Sequence, residues 1–239
     1  MIHSEIVQFL SEIDTNIFLS FNGIHSPFWD YFMSSFTGKI IWVPMYATIL
    51  YILLRNFHWK VVVCYVAAIA LTITFADQMC SSIIRPVVAR LRPANPDNPI
   101  VDMVYIVNGY RGGSYGFPSC HAANSLGLAM FVVFLFRKRW LSIFIVTWAI
   151  LNCYTRIYLG VHYPGDLLFG TLVGFAAGAV TYGIYRFCLR IDGIANGVRF
   201  HQDRKLVKHP SHMQYTSIII YTGLLTITIF AVYSIWWRT

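Results

Sequence analysis

The sequence predicts an all-α, polytopic membrane protein, a helical bundle of about five to six spanning helices with interfacial helices at the N-terminus. Of the 239 residues, 57% are hydrophobic and only 12% are charged, whereas soluble domains average about 25% charged residues. Such a chain has too little polar surface to cover itself in water. We therefore expect one membrane-embedded domain over residues 1–239.

Six apolar runs have close to the ~20 residues that a helix needs to cross the hydrocarbon core. They lie at roughly 38–54, 61–84, 119–136, 140–158, 166–187 and 216–237, the last being an extra C-terminal span. Residues 1–36 instead place apolar side chains at helical spacing, interrupted by Glu5 and Glu12. This pattern is typical of amphipathic helices at the membrane interface, and Ser26-Pro27 predicts a helix start. One poorly formed span over these residues is the alternative interpretation.

The net charge of +8 indicates membrane topology rather than nucleic-acid binding. Most Lys and Arg residues lie in loops on one side of the predicted spans, including 137–139 and 186–208. Short basic loops stay in the cytoplasm, so the opposite face, with the long loop 85–118, is predicted to face outward. The compact layout favours a bacterial inner membrane with this face in the periplasm, and no nucleic-acid partner is expected.

Three groups of polar residues lie at span ends on the outward side. No predicted span separates the first group from the second, and two spans separate the second from the third. The chain therefore returns each time to the same face, and all three groups are predicted to meet at one site: Arg85 and Arg92-Pro93; Pro118-Ser119-Cys120-His121; and Arg156, His162 and Asp166.

The residue types at this site are suited to phosphate chemistry. Arginine presents a planar fork of donors that matches phosphate oxygens, and Ser119 lies at a helix start, where free N–H groups favour anions. His162 and Asp166 are one helical turn apart. The carboxylate can hold one ring nitrogen of His162 while the other attacks phosphorus, and His121 can protonate the leaving oxygen.

These residues resemble the signature of the type 2 phosphatidic acid phosphatase superfamily. That signature reads Lys, six residues, Arg-Pro; then Pro-Ser-Gly-His; then Ser-Arg, five residues, His, three residues, Asp. Here Arg85 replaces the lysine, Cys120 the glycine and Thr155 the serine, while all three spacings agree over 85–166. Because cysteine restricts φ more than glycine does, we expect that this position does not require positive φ.

The resemblance implies a helical membrane core and a lipid phosphatase that needs neither a metal nor a cofactor. It implies a phosphohistidine on His162, oriented by Asp166, with His121 acting first as general acid and then as base. Five residues would hold the phosphoryl oxygens, in the case of cysteine through its amide: Arg85, Arg92, Ser119, Cys120 and Arg156.

Several substrates are compatible with this resemblance. A phosphate of lipid A or undecaprenyl diphosphate is favoured over phosphatidylglycerol phosphate and phosphatidic acid, and the loop 94–117 with Arg111 is expected to help select the headgroup. A lipid phosphotransferase and a non-enzymatic anion transporter are the alternative functions. The lipid bilayer and the lipid substrate are the only partners predicted.

Two further features carry separate predictions. Asp77 lies in the second predicted span, where a carboxylate costs about 2.5–3.5 kcal/mol on insertion scales. It is expected either to pair with an internal partner or to support the arginines. The five cysteines match no zinc pattern, so no structural metal site is expected.

Overall fold

The computed structural model describes residues 2–57, 59–195 and 215–236, with side chains described in 5–57, 59–188 and 215–236. Most of the basic stretch 186–208, which supports the predicted orientation, lies outside the described side chains, as does the last residue of the predicted span 216–237. The described helices, in chain order, are α1 (Ile2–Asn22), α2 (Pro27–Phe36), α3 (Val43–Asn56), α4 (Trp59–Gln78), α5 (Arg85–Val88), α6 (Cys120–Phe136), α7 (Arg139–Tyr158), α8 (Pro164–Ala195) and α9 (Ser217–Trp236).

The helices confirm the predicted fold class of an all-α membrane bundle. Within the part of the chain that the structure describes, four segments are long and apolar enough to cross a membrane: Trp59–Val88, Arg139–Tyr158, Pro164–Cys188 and Ser217–Trp236. A fifth span is reached if α2 and the segment Ile40–Asn56 are counted together, although the chain bends by 70° between them. The predicted run 38–54 is therefore the second half of a broken pair, and α6 is a shorter apolar helix of 17 residues.

The N-terminal region forms two helices rather than one span. α1 is a continuous helix of 21 residues that leaves Phe9 and Leu10 exposed, as expected for an amphipathic helix. Ser26 caps α2 by accepting a hydrogen bond from the backbone of Trp29, and Pro27 occupies the first turn, which confirms the predicted helix start. Asn22, at the end of α1, donates to the carbonyl groups of Ile157 and Tyr158 at the end of α7 and so ties α1 to the bundle.

A row of glycines allows α8 to lie directly against α6. Gly170, Gly174 and Gly178 are four residues apart, so they share one face of α8. A Cβ atom on Gly174 would overlap the carbonyl oxygen of Ala123 in α6, and one on Gly178 would lie 2.9 Å from the carbonyl oxygen of Gly127. Small residues at such spacing let membrane helices approach closely. This contact fixes the start of α6 beside the start of α8.

The connection between α5 and α6 lies against the end of α7 and the start of α8. α4 continues through a π-helical segment, Met79–Ile84, into the short α5, and the chain leaves α5 through Ala89 in the left-handed conformation. Backbone hydrogen bonds from Arg92 to Ser114 and from Gly116 to Arg90 then form a short antiparallel bridge. The bridge holds the end of the loop against the residues that follow α5.

Candidate active site

A cavity of about 650 Å³ connects the polar ends of the helices with the apolar interior of the bundle. Six of the eight predicted site residues line its polar end: Arg85, Arg92, Cys120, His121, Arg156 and His162. Apolar side chains, most of them on α3 and α4, line much of the remainder, which also holds a few polar groups; the apolar residues include Ile49, Leu50, Leu53, Val66, Ile69 and Ile73. The site is therefore amphiphilic, with clustered cations and imidazoles at one end only.

The two remaining predicted residues, Ser119 and Asp166, are completely buried and lie outside the cavity lining. The hydroxyl of Ser119 caps α6 by accepting a hydrogen bond from the backbone of Ala122, and its N–H donates to the carbonyl oxygen of Asp166, at 3.0 Å. In this structure Ser119 joins α6 to α8 and does not line the cavity. A contact between Ser119 and phosphate stays a prediction.

His162 lies in the turn between α7 and α8 and is buried. Its Nδ1 is 3.3 Å from Oδ2 of Asp166, and its Nε2 is 2.8 Å from Nη1 of Arg92. Because a guanidinium only donates hydrogen bonds, Nε2 must be the acceptor, which assigns the ring proton to Nδ1. The carboxylate thus holds the ring N–H, and Nε2 presents a lone pair.

The electrostatic surroundings keep this imidazole neutral. Burial, followed by the positive charges of Arg92, Arg156 and Arg85, lowers the pKa of His162 well below its ordinary value, against a small opposing effect of the Gly116 carbonyl. Burial and the charges of Arg85 and Arg156 also lower the pKa of Arg92 to about 10. The cluster is therefore short of negative charge, and an anion beside it would relieve this imbalance.

Each of the three arginines is held by the protein at one end. Arg85 donates to the carbonyl oxygen of Pro118 and to Sγ of Cys120, both at 2.9 Å, and Arg156 donates to Oγ1 of Thr37, at 3.0 Å. The Nε atoms of Arg85, Arg92 and Arg156 are buried without a hydrogen-bond acceptor among the described residues. Buried donors normally have partners, so this cluster offers more donors than the surrounding protein satisfies.

Cys120 is accommodated in the glycine position of the signature without strain. It is the first residue of α6 and is not among the described residues with positive φ, which confirms the expectation drawn from the sequence. Its sulfur contacts Arg85, so the side chain helps to position one of the cations. Only its backbone N–H is needed in the predicted role.

Asp77 has an internal partner, as one of the two sequence predictions required. Its Oδ1 accepts a hydrogen bond of 3.1 Å from the side chain of Asn124 in α6. Both residues line the same cavity as the arginines. Asp77 therefore connects α4 with α6 and also presents a polar group to the cavity.

Several residues at the site were missed by the sequence analysis. The break between α2 and α3 brings Thr37 and Lys39 to the cavity, and the loop 94–117 contributes Tyr110, whose ring lies 5.7 Å from the guanidinium of Arg156. Arg111, which was expected to help select the headgroup, donates to the carbonyl oxygen of Ala94, at 2.7 Å, and its part in headgroup selection stays a prediction. These positions follow from tertiary contacts, and no local spacing in the sequence indicates them.

Comparison with known proteins agrees with this geometry. The sequence profile of the PAP2 superfamily matches residues 61–190. The lipid A 4′-phosphatase of Bacteroides thetaiotaomicron is 62% identical over 230 residues, covering 96% of this chain and 99% of that protein. The lipid A 4′-phosphatase of Porphyromonas gingivalis is 36% identical over 182 residues, covering 76% of each protein.

The fold is also that of a solved structure. The crystal structure of Aquifex aeolicus LpxE superposes with a TM-score of 0.53, covering 70% of this chain and 93% of that one at 23% identity. A likeness at this level of identity concerns the fold alone. Since the family profile covers more than half of the chain and one relative is 62% identical across nearly all of it, this multi-pass membrane protein belongs to the PAP2 superfamily.

Proposed function

We propose that this chain is a membrane lipid phosphatase that removes the 4′-phosphate of lipid A through a phosphohistidine on His162. The observation that carries the proposal is the amphiphilic cavity, with three arginines and a neutral imidazole at one end and an apolar lining at the other. A phosphorylated headgroup matches the cationic end, and the acyl chains of a lipid match the apolar end. A soluble phosphate ester would make no use of the apolar part.

The proposed first step transfers the phosphoryl group to the protein. The lone pair of Nε2 of His162 attacks phosphorus, the bond between phosphorus and the sugar oxygen breaks, and His121, whose protonated form is favoured by the negative charge of the bound phosphate, donates a proton to that oxygen. Asp166, 3.3 Å from Nδ1, stabilises the ring as it gains positive charge. Arg85, Arg92 and Arg156 neutralise the charge on the phosphoryl oxygens.

The proposed second step returns the protein to its starting state. His121 takes a proton from a water molecule whose oxygen attacks phosphorus, the bond from phosphorus to Nε2 breaks, and inorganic phosphate leaves. The arginines supply the positive charge that a metal ion provides in other phosphatases, so the proposed reaction needs no metal.

The preference for lipid A rests on the relatives. Both curated lipid A 4′-phosphatases match most of this chain, and the one from Bacteroides thetaiotaomicron matches it almost from end to end. The loop 94–117, which we propose helps to select the headgroup, lies inside that alignment. Undecaprenyl diphosphate is the second candidate, because its diphosphate and long apolar chain also match both ends of the cavity.

Phosphate release from a panel of lipids tests this proposal. Purified protein in detergent would be given bisphosphorylated lipid A, undecaprenyl diphosphate, phosphatidylglycerol phosphate and phosphatidic acid. We expect kcat/KM for lipid A to exceed that for the others by at least about tenfold, mass spectrometry to place the remaining phosphate at position 1, and EDTA to leave the rate unchanged. A faster reaction with another lipid would overturn the substrate, and anion uptake into liposomes without hydrolysis would favour a transporter.

We further propose that the site faces the periplasm from the inner membrane. Ser114, in the exposed loop beside the site, and Arg139, at the start of α7, lie at opposite ends of the bundle and are both exposed. In intact cells a membrane-impermeant maleimide is expected to label Ser114→Cys above the wild-type background but to label Arg139→Cys only after lysis. The reverse pattern would place the site in the cytoplasm.

A further inference from the structure

Asp14, on the N-terminal helix, reaches the active site from outside the signature and outside the residues that match the family profile. Its side chain is 15% exposed, and its Oδ2 lies 2.6 Å from Nη1 of Arg90. Its Oδ1 accepts a hydrogen bond of 2.7 Å from the backbone N–H of Gly165, in the first turn of α8. A carboxylate is favoured at the start of a helix by the free N–H groups there.

Arg90 continues this chain of contacts to the catalytic carboxylate. The nitrogen that pairs with Asp14 also lies 3.1 Å from Oδ1 of Asp166, and the guanidinium lies 3.9 Å from the ring centre of Tyr163. The other oxygen of Asp166 faces Nδ1 of His162 and accepts from the backbone of Tyr163, at 3.0 Å. A continuous polar path therefore runs from α1 to the proposed nucleophile.

The residues at the start of α8 leave room for α1 to approach closely. A Cβ atom at Gly165 would lie 2.7 Å from Oδ2 of Asp14 and 3.2 Å from its Cγ, so a larger residue would displace the carboxylate. One helical turn after Asp14, the completely buried Phe18 packs edge-on against Tyr163, with ring centres 5.4 Å apart. Two successive turns of α1 thus dock on the His-Tyr-Pro-Gly-Asp segment.

We propose that Asp14 is a positioning residue of the phosphatase, which acts through Arg90 to hold Asp166 in the orientation that directs His162. This inference rests on the proposed function of His162 and Asp166. Arg90 lies between the carboxylates of Asp14 and Asp166. Asp14 therefore balances part of the positive charge of Arg90 and holds its guanidinium in place. Without Asp14, Arg90 is free to shift towards Asp166 and to draw that carboxylate away from the imidazole.

A double-mutant cycle tests the proposal. Asp14→Asn, which retains an oxygen for Gly165 but loses the charge, is expected to lower kcat by about tenfold to a hundredfold and to change KM by less than about threefold. In an Asp166→Asn background the same change should have no further effect, because the contact through which Asp14 acts is already lost. Full activity of Asp14→Asn, or an equal loss in both backgrounds, would overturn the proposal.

Glu12→Gln is the matched control on the same helix. Glu12 is exposed and accepts a hydrogen bond of 3.2 Å from Gln8, away from the site. It should retain wild-type kcat, and the thermal midpoints of Glu12→Gln and Asp14→Asn in detergent should agree within a few degrees. A marked fall in the midpoint of Asp14→Asn alone would assign Asp14 to anchoring of α1 and reject the positioning role.

A second measurement separates this inference from the proposed function. If wild-type protein released no phosphate from any lipid, the proposed function would fail. The effect of Asp14 would then be measured through the binding of orthovanadate, an ion that binds nucleophilic histidines in the geometry of phosphoryl transfer. The rise in thermal midpoint with orthovanadate should be smaller for Asp14→Asn than for Glu12→Gln, and equal rises would reject the role of Asp14.

Discussion

Replacing His162 with alanine is expected to abolish phosphate release, with a fall in kcat of at least about a thousandfold, the scale on which triad residues act in other hydrolases. The reason is chemical. Nε2 of His162 is an unprotonated nitrogen beside the arginine cluster, and its Nδ1 is held by Asp166. Alanine removes the proposed nucleophile, and His121 lacks a comparable carboxylate among the hydrogen bonds of the described residues.

The rate would be measured on purified protein with the preferred lipid, beside His25→Ala as the matched control. His25 is exposed and stacks on Tyr105, with ring centres 3.6 Å apart, so its loss should leave the rate unchanged. Labelled substrate, quenched in alkali to preserve phosphohistidine, should leave label on wild-type protein and none on His162→Ala. Label on both proteins would place the nucleophile elsewhere.

Replacing Gly174 with valine is expected to separate α6 from α8 and to prevent the site from assembling. Even the Cβ atom would overlap the backbone carbonyl of Ala123, and backbone cannot move aside as a flexible side chain can. Overpacking of this kind costs about 1–3 kcal/mol or more. The catalytic consequence follows because His121 lies on α6 and Asp166 on α8.

Gly183→Val supplies the control on the same helix. Among the described residues, no atom lies within 4 Å of a Cβ atom built at Gly183, so both variants carry the same change in helix propensity but only one carries the clash. Size-exclusion chromatography and thermal unfolding in detergent should show aggregated or destabilised protein for Gly174→Val and near-native protein for Gly183→Val. Equal behaviour would mean that the close approach of α6 and α8 is not required.

The sequence was sufficient to predict the residues at the polar end of the cavity, because most of them are related by short spacings along the chain. Arg85 lies in α5 and Arg92 follows shortly after that helix, whereas His162 and Asp166 are one helical turn apart. Each pair is therefore placed by local geometry. The number of spans between groups then brings them to one face. These constraints need no tertiary contact, which explains why six predicted residues line the cavity.

The contacts with the N-terminal helices could not be predicted in the same way. Asp14 was a single carboxylate in an amphipathic pattern, and its partner Arg90 lies 76 positions later. An alternation of arginines at 90 and 92 beside Pro93 was the one local signal that Arg90 belongs to the site. The 70° bend that brings Thr37 and Lys39 to the cavity was likewise hidden, because Pro44 lies inside the apolar run and not at the bend.

The contact between Arg92 and Nε2 of His162 has a consequence for selectivity. The guanidinium of Arg92 already occupies the lone pair of Nε2, the nitrogen proposed to attack. An incoming molecule must therefore first draw this guanidinium away from His162. Phosphoryl oxygens can do this, whereas an uncharged glycolipid or a lone water molecule offers too weak an attraction. The proposed nucleophile is thereby shielded from unproductive encounters with other lipids, and the negative charge of a phosphorylated substrate uncovers it.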